Sequence, residues 1–354
     1  MDTAFRAAAK RPRSPPTEHT SAVAIGRGAC VTVSRNGQNA FLHEIDAAEC
    51  ANWQRFGAHR DCLFTPAART ARHRAGSVNP EPLPPLAKPD DPRTPAKELF
   101  GRRTTPTSLA AHTIGFYSRG CIAGAQALPL DGETWQVMRQ SRNRNWGHPN
   151  LVQFLERLAN GAPKIGWHGL LVGDMAQPRG GPMYTGHFSH QVGLDADIWL
   201  MPMPDRRLSR EEREQVMSTV VVAKNGKDVD PKLWTSAHAA IIKAAAKDAQ
   251  VSRIFANPAI KKALCREAGR DRAWLRKVRV WYGHDYHFHV RIYCPADSPQ
   301  CVSDAPLVGG DGCSHQDLDW WFTDAALHPK PSHEKPPLRM ADLPAACRQV
   351  LMAP

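Results

Sequence analysis

The 354-residue sequence has no run of about 18 to 20 apolar residues, the length that a membrane-spanning helix needs, so we expect no membrane span. It has no Cys-x-x-Cys pair, which disfavours a cysteine-ligated structural zinc site. It also has no Gly-x-Ser-x-Gly elbow or serine-lysine pair, so serine-based hydrolysis is disfavoured. The segment 1–16 contains no apolar core of the kind that a secretory signal requires.

The sequence also lacks a dense basic block, although its formal net charge is +12. The excess of Lys and Arg is spread along the whole chain, and an excess of this size predicts an anionic partner. No helix or aromatic platform typical of nucleic-acid readers accompanies the charge. We therefore expect no nucleic acid as a partner and favour another anionic polymer. The sequence gives no indication of the oligomeric state.

Nine cysteines is a high number for a protein of a reducing compartment. Six of them lie in the well-patterned part of the chain, namely Cys121, Cys265, Cys294, Cys301, Cys313 and Cys347. An even number without metal-site spacing favours disulfides and an oxidising compartment, with free buried thiols as the alternative. Because no signal peptide is visible, either the export signal is of a kind that this pattern does not reveal or the start of the chain is misplaced.

The chain divides into two parts of different pattern. Residues 1–97 have weak hydrophobic periodicity, and seven prolines between Pro80 and Pro95 are typical of an extended linker. We predict a low-order N-terminal extension there, or a misplaced start, with an independent folded domain as the alternative. Residues 98–350 are predicted to form one folded domain.

Three helices are predicted from periodicity and capping signals. Apolar residues recur at positions i, i+3, i+4 and i+7 from Leu151, as on one face of an amphipathic helix. Ser209 and Glu212 have the spacing of a capping box at the start of a second helix. Asn257, followed by proline, opens a third helix that is expected to stop at Gly269.

Two strand-like segments contain acidic or histidine residues at alternate positions. In the first, 194–199, apolar residues alternate with Asp195 and Asp197. In the second, apolar residues alternate with His287 and His289. We expect each strand to bury one face and to present its polar face to a shared cleft.

These side chains are suitable for a metal site. Neutral imidazole and carboxylate are ordinary zinc ligands, and a catalytic site uses three protein ligands and a fourth position for water. His190 precedes Asp197 by seven residues, and Gly193 between them allows a sharp turn, so the two side chains can converge. His287 and His289 are about 7 Å apart on one strand face, so one can bind the metal while the other lies beside its open position. The pattern alone leaves open a hydrogen-bonded histidine pair without metal.

From about Gly115 to Cys347 an ordered series of motifs is similar to one protein family. The motifs are Gly120-Cys121-Ile122, Val137-Met138-Arg139, Gly147-His148-Pro149, Gly173-Asp174-Met175, Gly186-His187-Phe188-Ser189-His190, Asp195-Ala196-Asp197-Ile198, Arg253-Ile254-Phe255-Ala256-Asn257-Pro258-Ala259-Ile260-Lys261 and His287-Phe288-His289-Val290-Arg291. By these motifs the stretch resembles the penicillin-insensitive murein endopeptidases, metallopeptidases related to the lysostaphin and D-Ala-D-Ala peptidase group.

The resemblance implies a site and a fold. His190, Asp197 and His289 would bind a catalytic zinc ion (Zn²⁺), and His287 would act as the base beside it. We predict that His284 orients His287 or touches the substrate. The expected fold is α+β, with a small antiparallel β-sheet core that carries the zinc site, flanked by helices and long loops and stapled by disulfides.

A second metal is less clearly implied. Some family members resemble two-metal enzymes that use a histidine matching His187 together with an acid and a histidine from a later segment. Here Asn225 and Asp228 occupy the later positions, and Asn225 is a poor metal ligand. His187 remains a candidate ligand that lines the site.

The resemblance also implies an activity and a compartment. The expected reaction is hydrolysis of the D-alanyl to meso-diaminopimelyl cross-link of peptidoglycan (murein) in the periplasm. A D,D- or L,D-carboxypeptidase acting on murein stem peptides and a non-catalytic murein-binding module are the alternatives. The implied disulfides are Cys121 with Cys347, Cys265 with Cys313, and Cys294 with Cys301.

Overall fold

The structure is a computed structural model that describes residues 30–33, 40–43, 83–307, 309–329 and 336–354. For the first two segments only the strand pairing is described. Most of the predicted N-terminal extension lies outside these residues, so the predicted domain division stays a prediction.

The described residues form twelve β-strands and eight α-helices. The strands are β1 Cys30–Val33, β2 Ala40–His43, β3 His112–Phe116, β4 Arg119–Ala123, β5 Gln126–Ala127, β6 Trp135–Val137, β7 Trp146–Gly147, β8 Leu170–Val172, β9 Asp195–Pro202, β10 Val251–Ala256, β11 Val278–Val280 and β12 His287–Ile292. The helices are α1 Ala96–Phe100, α2 Pro149–Gly161, α3 Arg210–Gln215, α4 Ser236–Lys247, α5 Pro258–Glu267, α6 His315–Leu318, α7 Asp324–Leu327 and α8 Ala346–Met352.

A six-stranded sheet with the order β11-β10-β12-β9-β8-β6 forms the centre of the protein. Its four inner strands pair antiparallel, whereas β11 and β6 pair parallel with their neighbours at the two edges. The prediction of an antiparallel sheet is therefore correct for the centre and wrong for the edges. Parallel neighbours need a long crossover, and α5 between β10 and β11 and α2 between β6 and β8 provide it.

Strands β9 and β12 lie side by side and bring the predicted site residues into register. His289 is opposite Asp197, and His287 is opposite Trp199. All six residues of β12 and the first six of β9 are buried. The polar faces of the two strands meet at one place, and the segment that contains His190 lies against them, with the rings of His190 and His289 4.6 Å apart.

The three helix predictions are confirmed. Helix α2 buries the apolar positions that begin at Leu151, and these residues belong to the main hydrophobic core. Burial of each such Leu or Phe side chain contributes about 1.5–3 kcal/mol. Helix α3 begins with the Ser209–Glu212 capping box. At the start of α5, the Asn257 side chain accepts a hydrogen bond from the Ala259 amide at 2.9 Å.

The three implied disulfides are present, each with a Cα–Cα distance of 5.7 Å. The Cys121–Cys347 bridge joins β4 to α8 inside a second core cluster, which also contains Ala96 and Phe100 of α1. Among the described residues, no helix is long and apolar enough to cross a membrane.

Candidate metal centre

Three ligand-type atoms converge where β9, β12 and the loop before β9 meet. Nδ1 of His289 is 3.1 Å from Oδ1 of Asp197, and Nε2 of His190 is 3.4 Å from the same oxygen. The imidazole rings of His190 and His289 have centroids 4.6 Å apart. All three side chains are buried. The structure thus brings together the three residues that the sequence predicted as ligands.

The loop reaches this position through an unusual backbone. His190 has a φ of 63° and Gly193 a φ of 69°, both in the left-handed region. A Cβ on Gly193 would lie 2.6 Å from Cδ1 of Ile122 and 3.1 Å from the backbone nitrogen of His148, and its positive φ is strained for any other residue. A non-glycine residue such as His190 in this region costs on the order of 1–3 kcal/mol, and such strain is often found at functional sites. The predicted turn at Gly193 is confirmed.

Asp195 forms a hydrogen bond with each of the two imidazoles, at the ring nitrogen that points away from Asp197. Its carboxylate accepts a hydrogen bond from Nε2 of His289 at 3.0 Å, and its backbone carbonyl accepts one from Nδ1 of His190 at 3.2 Å. The other nitrogen of each ring, Nδ1 of His289 and Nε2 of His190, faces Asp197. In metal sites, contacts of this kind fix the tautomer of a ligating histidine.

The charge of Asp195 is balanced by a buried arginine. Arg291 donates from Nη2 and Nε to Oδ2 of Asp195 at 3.2 and 3.3 Å. Burial by itself raises the pKa of Asp195, but Arg291 and His289 hold that pKa below its usual value. The guanidinium also lies over the ring of Tyr117, at 3.9 Å from the centroid, in a cation–π contact. Asp195 is therefore an ionised hydrogen-bond acceptor behind the cluster at neutral pH.

The cluster fits a small divalent cation. Nε2 of His190 and Oδ1 of Asp197 are buried and have no hydrogen-bond partner among the residues that the structure describes. Nε2 of His190 and Nδ1 of His289 both face Oδ1 of Asp197, while Asp195 holds the opposite nitrogen of each ring. Ligands bound tetrahedrally at 2.0–2.1 Å would lie about 3.3 Å apart, close to the observed 3.1 and 3.4 Å. A cation between the three atoms would satisfy all of them.

The electrostatics of the cluster agree with this interpretation. Burial by itself raises the pKa of Asp197, yet the surrounding histidines, His287 first, hold that pKa well below its usual value. Burial by itself lowers the pKa of His190, but Asp197 outweighs it and raises that pKa to about 8. The carboxylate of Asp197 thus attracts positive charge to the position between the ligand atoms.

His187 offers a further ligand beside the three. His187, His190 and Asp197 present ligand atoms that all lie within 4.8 Å of one another. Nδ1 of His187 is 3.6 Å from Oδ2 of Asp197, and its Nε2 is 3.1 Å from a carboxylate oxygen of Asp174. Asp174 is also paired with Arg144 at 2.7 Å. His190 and Asp197 therefore belong to two overlapping ligand sets, completed by His289 or by His187.

The residues weighed for a second metal have other partners. Asp228 forms ion pairs with Arg266 at 3.0 Å and Lys262 at 3.4 Å. The side-chain oxygen of Asn225 accepts a hydrogen bond from the Lys227 amide at 3.0 Å. Asp228 is thus paired with α5, and Asn225 is bonded within its own turn.

His287 lies next to the ligand cluster. Its Nε2 is 3.5 Å from Oδ1 of Asp197, and its buried Nδ1 has no hydrogen-bond partner within the described ranges. Burial lowers the pKa of His287 to about 4, so the ring is neutral at neutral pH. The ring of His284 lies 4.9 Å from that of His287 and donates from Nδ1 to the Tyr282 carbonyl at 2.7 Å. Burial likewise lowers the pKa of His284, to about 3.

Two residues of the site were not identified as such from the sequence. Asp195 was assigned to the polar face of its strand without a role, and Asp174 belongs to one of the motifs. The alternation that places Asp195 beside Asp197 is the signal for the first. Its partner His289 is 94 positions away, so that pairing becomes visible only in the folded chain.

Together, the fold and the cluster define a mixed α/β protein with a candidate metal centre of imidazole and carboxylate ligands. The sequence profile described as penicillin-insensitive murein endopeptidase matches residues 113–352, and the chain belongs to this family. The predicted resemblance is therefore confirmed.

Relatives with the name penicillin-insensitive murein endopeptidase occur in several bacteria. The protein from Haemophilus influenzae is 49% identical over 248 residues, which is 69% of this chain and 84% of the relative. The protein from Klebsiella pneumoniae subsp. pneumoniae is 46% identical over 250 residues, 70% of this chain and 89% of the relative. The protein from Yersinia enterocolitica is 44% identical over 248 residues, 70% and 88% of the two chains.

Proposed function

We propose that this chain is a zinc-dependent endopeptidase that hydrolyses D-alanyl to meso-diaminopimelyl cross-links of peptidoglycan in the periplasm. The observation that supports it most is the convergence of three acceptor atoms, from His190, Asp197 and His289, whose far-side hydrogen bonds run to Asp195. The family membership supports the substrate class, since the relatives bear the name murein endopeptidase. The three disulfides support an oxidising compartment.

In this proposal His190, Asp197 and His289 hold the zinc ion, and His187 lines the same site. Bound there, zinc supplies a water of lowered pKa and a Lewis acid for the scissile carbonyl. The carboxylate of Asp195 keeps both ligating imidazoles in the tautomer and orientation that ligation requires.

His287 handles the proton in the proposed reaction. Its neutral ring presents Nε2 towards the ligand cluster, 3.5 Å from Oδ1 of Asp197. From this position Nε2 accepts the proton of the attacking water and returns it to the leaving amine. His284, whose ring lies against that of His287, limits the movement of His287.

Digestion of purified murein tests the proposal. Three preparations of the full chain are incubated with murein. They are the protein as purified, the protein after treatment with a chelator, and the chelator-treated protein after zinc is added back. We expect cross-linked dimers to be converted to monomers only with zinc, without release of free D-alanine. Release of a terminal D-alanine without loss of dimers would instead support a carboxypeptidase. Binding of murein without any product would support a non-catalytic module.

The matched variants are Asp197→Ala, which removes a proposed ligand, and Asp304→Asn. Asp304 is a nearby acid that pairs with Arg291 at 3.2 Å and makes no contact with the ligand cluster in the described part of the chain. Zinc-dependent conversion by Asp304→Asn but not by Asp197→Ala would support the assigned ligand. Equal activity of both variants would contradict it.

A further inference from the structure

A cluster of exposed aromatic side chains lies beside the candidate metal centre. We define the aromatic ridge as Trp281, Tyr282, Trp320 and Trp321. Three of its members are among the exposed large hydrophobic residues, with Trp281 56%, Trp320 53% and Tyr282 42% exposed. An exposed group of large rings is costly in water and usually marks a binding surface.

Three rings of the ridge, those of Tyr282, Trp321 and Trp320, hold one another in place. Tyr282 and Trp321 meet edge to face with centroids 5.0 Å apart, and Trp321 and Trp320 do the same at 5.1 Å. Tyr282 precedes β12, whereas the two tryptophans follow α6, so the ridge joins two distant parts of the chain. Edge-to-face contacts leave ring faces open and restrict the side chains before any ligand binds.

The ridge is connected to the metal centre at two points. Phe255 contacts the ring of His289 at 5.5 Å and the ring of Trp281 at 6.2 Å. The backbone carbonyl of Tyr282 accepts the hydrogen bond of His284 at 2.7 Å. Trp281 and Tyr282 therefore adjoin residues that contact the candidate metal centre.

We propose that the aromatic ridge binds the amino-sugar glycan strand of peptidoglycan and so positions the attached stem peptide at the metal centre. This inference rests on the proposed function. A pyranose ring has C–H groups on its faces and hydroxyl groups around its rim. The ridge has the complementary arrangement, flat apolar faces with an N–H or O–H group at the ring edge.

The composition of the ridge favours a sugar over an apolar protein partner. The four members of the ridge are aromatic, and none of the six exposed large aliphatic residues of the described chain is among them; these six are Leu109, Leu130, Val220, Leu233, Val302 and Met352. An interface with another protein would be expected to mix aliphatic and aromatic side chains in its apolar centre. The ridge contains rings with polar edges only, which matches the face of a carbohydrate.

The distances agree with the length of the substrate. A stem peptide of about four residues between the glycan and the cross-link spans at most about 14 Å when extended. The ring centroids of His289 and Phe255 are 5.5 Å apart, and those of Phe255 and Trp281 are 6.2 Å apart. The near end of the ridge is thus within the reach of one stem peptide from the metal centre.

Binding to peptide-free glycan strands tests the inference without requiring catalysis. Titration calorimetry would compare the unmodified chain with Trp281→Ala, Trp320→Ala and a control, Tyr293→Ala. Tyr293 is 49% exposed and lies outside the ridge. We expect each tryptophan variant to weaken binding about tenfold, since loss of one ring contact removes on the order of 1.4 kcal/mol, and Tyr293→Ala to bind as the unmodified chain does.

Enzyme kinetics provide a second test of the role of the aromatic ridge. The ratio of kcat/KM for a disaccharide-bearing cross-linked dimer to kcat/KM for the same peptide dimer without sugar is expected to fall in the tryptophan variants. Unchanged glycan affinity in both variants would overturn the inference while leaving the peptidase proposal intact. Equal losses on both substrates would overturn it and assign the ridge to the peptide. Glycan binding that depends on the tryptophans, without hydrolysis of either dimer, would overturn the proposed function alone.

Discussion

Two buried polar sites of this protein differ in whether their atoms have partners. Lys261 is only 1% exposed, and its Nζ donates to the carbonyls of Leu275 at 2.7 Å and Asp311 at 2.6 Å. At the candidate metal centre, Nε2 of His190 and Oδ1 of Asp197 are also buried but have no hydrogen-bond partner among the described residues. A buried polar atom without a partner costs about 1–3 kcal/mol.

The difference separates a structural role from a functional one. The ammonium of Lys261 joins α5 to two loops and uses its polar contacts within the protein. The histidine cluster contains buried polar atoms without hydrogen-bond partners, and His190 has a left-handed backbone conformation. Both features cost folding free energy, and such features persist at sites where a bound ligand compensates for the cost. The following changes test this contrast, beginning with the largest expected effect.

Loss of one proposed ligand should have the largest effect. His190→Ala removes Nε2 from the cluster, so we expect zinc content and murein hydrolysis to fall to the level of the chelator-treated protein. Metal analysis and muropeptide chromatography measure the two quantities. The control is His168→Ala, which removes an exposed histidine at the surface. Retention of zinc at one ion per chain in His190→Ala would contradict the assigned ligand.

Replacement of the proposed proton carrier should separate metal binding from turnover. His287→Ala leaves the three proposed ligands in place, so we expect normal zinc content and a fall in kcat of about 10²–10⁴-fold, the usual contribution of general acid–base catalysis. Zinc content and kcat are measured on the same preparation. If zinc is lost together with activity, His287 is a ligand and its assigned role is wrong.

Removal of the charge behind the ligands should have a smaller effect. Asp195→Asn weakens the hydrogen bond that fixes His289, so we expect zinc affinity to fall about 10–100-fold. Affinity is measured by competition with a chromogenic chelator. Asp304→Asn is the matched control, because Asp304 also pairs with Arg291 but does not contact His289. Equal affinities of the two variants would show that Asp195 acts only on stability.

The smallest effect on zinc binding and turnover is expected at Lys261, where the change appears instead as a pH dependence of stability. Burial lowers the pKa of Lys261 from 10.5 in the unfolded chain to about 7 in the folded protein. The cost of burying the charge is therefore fully present below pH 7 and declines as the pH rises from 7 towards 10.5. Between these values the free energy of unfolding should rise by about 1.4 kcal/mol per pH unit at most.

Lys261→Met removes this contribution. Urea unfolding of both proteins, with disulfides intact, at pH 6 and pH 9 measures it. We expect the stability of the unmodified chain relative to Lys261→Met to be greater at pH 9 than at pH 6. A difference that does not change with pH would mean that Lys261 has an ordinary pKa.

Short-range signals in the sequence predicted much of the local structure. The periodicity from Leu151, the Ser209 capping box and the Asn257 cap all involve residues within about two turns of helix, and α2, α3 and α5 begin as predicted. Gly193 predicted the turn before β9 for the same reason, since its conformation depends on its own missing Cβ. The chemical types of the site residues were also readable, because imidazole and carboxylate are ordinary zinc ligands, although the pattern alone did not distinguish a metal site from a hydrogen-bonded pair.

Longer-range features were not predictable in this way. The parallel edges of the sheet depend on where the crossover helices α2 and α5 return the chain. The burial of the polar face of β9 and β12 depends on a loop that folds over it. The disulfide pairings were implied by resemblance, since spacing alone leaves fifteen connectivities.

By itself the sequence determined the helix starts, the two strands that bear Asp197 and His289, and the residue types gathered on them. Only the tertiary structure decided that Asp195 fixes both imidazoles, that His187 lies beside Asp197, and that an aromatic ridge adjoins the site. The physical reason is that periodicity and capping act between neighbours in the chain. Hydrogen bonds such as that between Asp195 and His289 join residues 94 positions apart and exist only after folding.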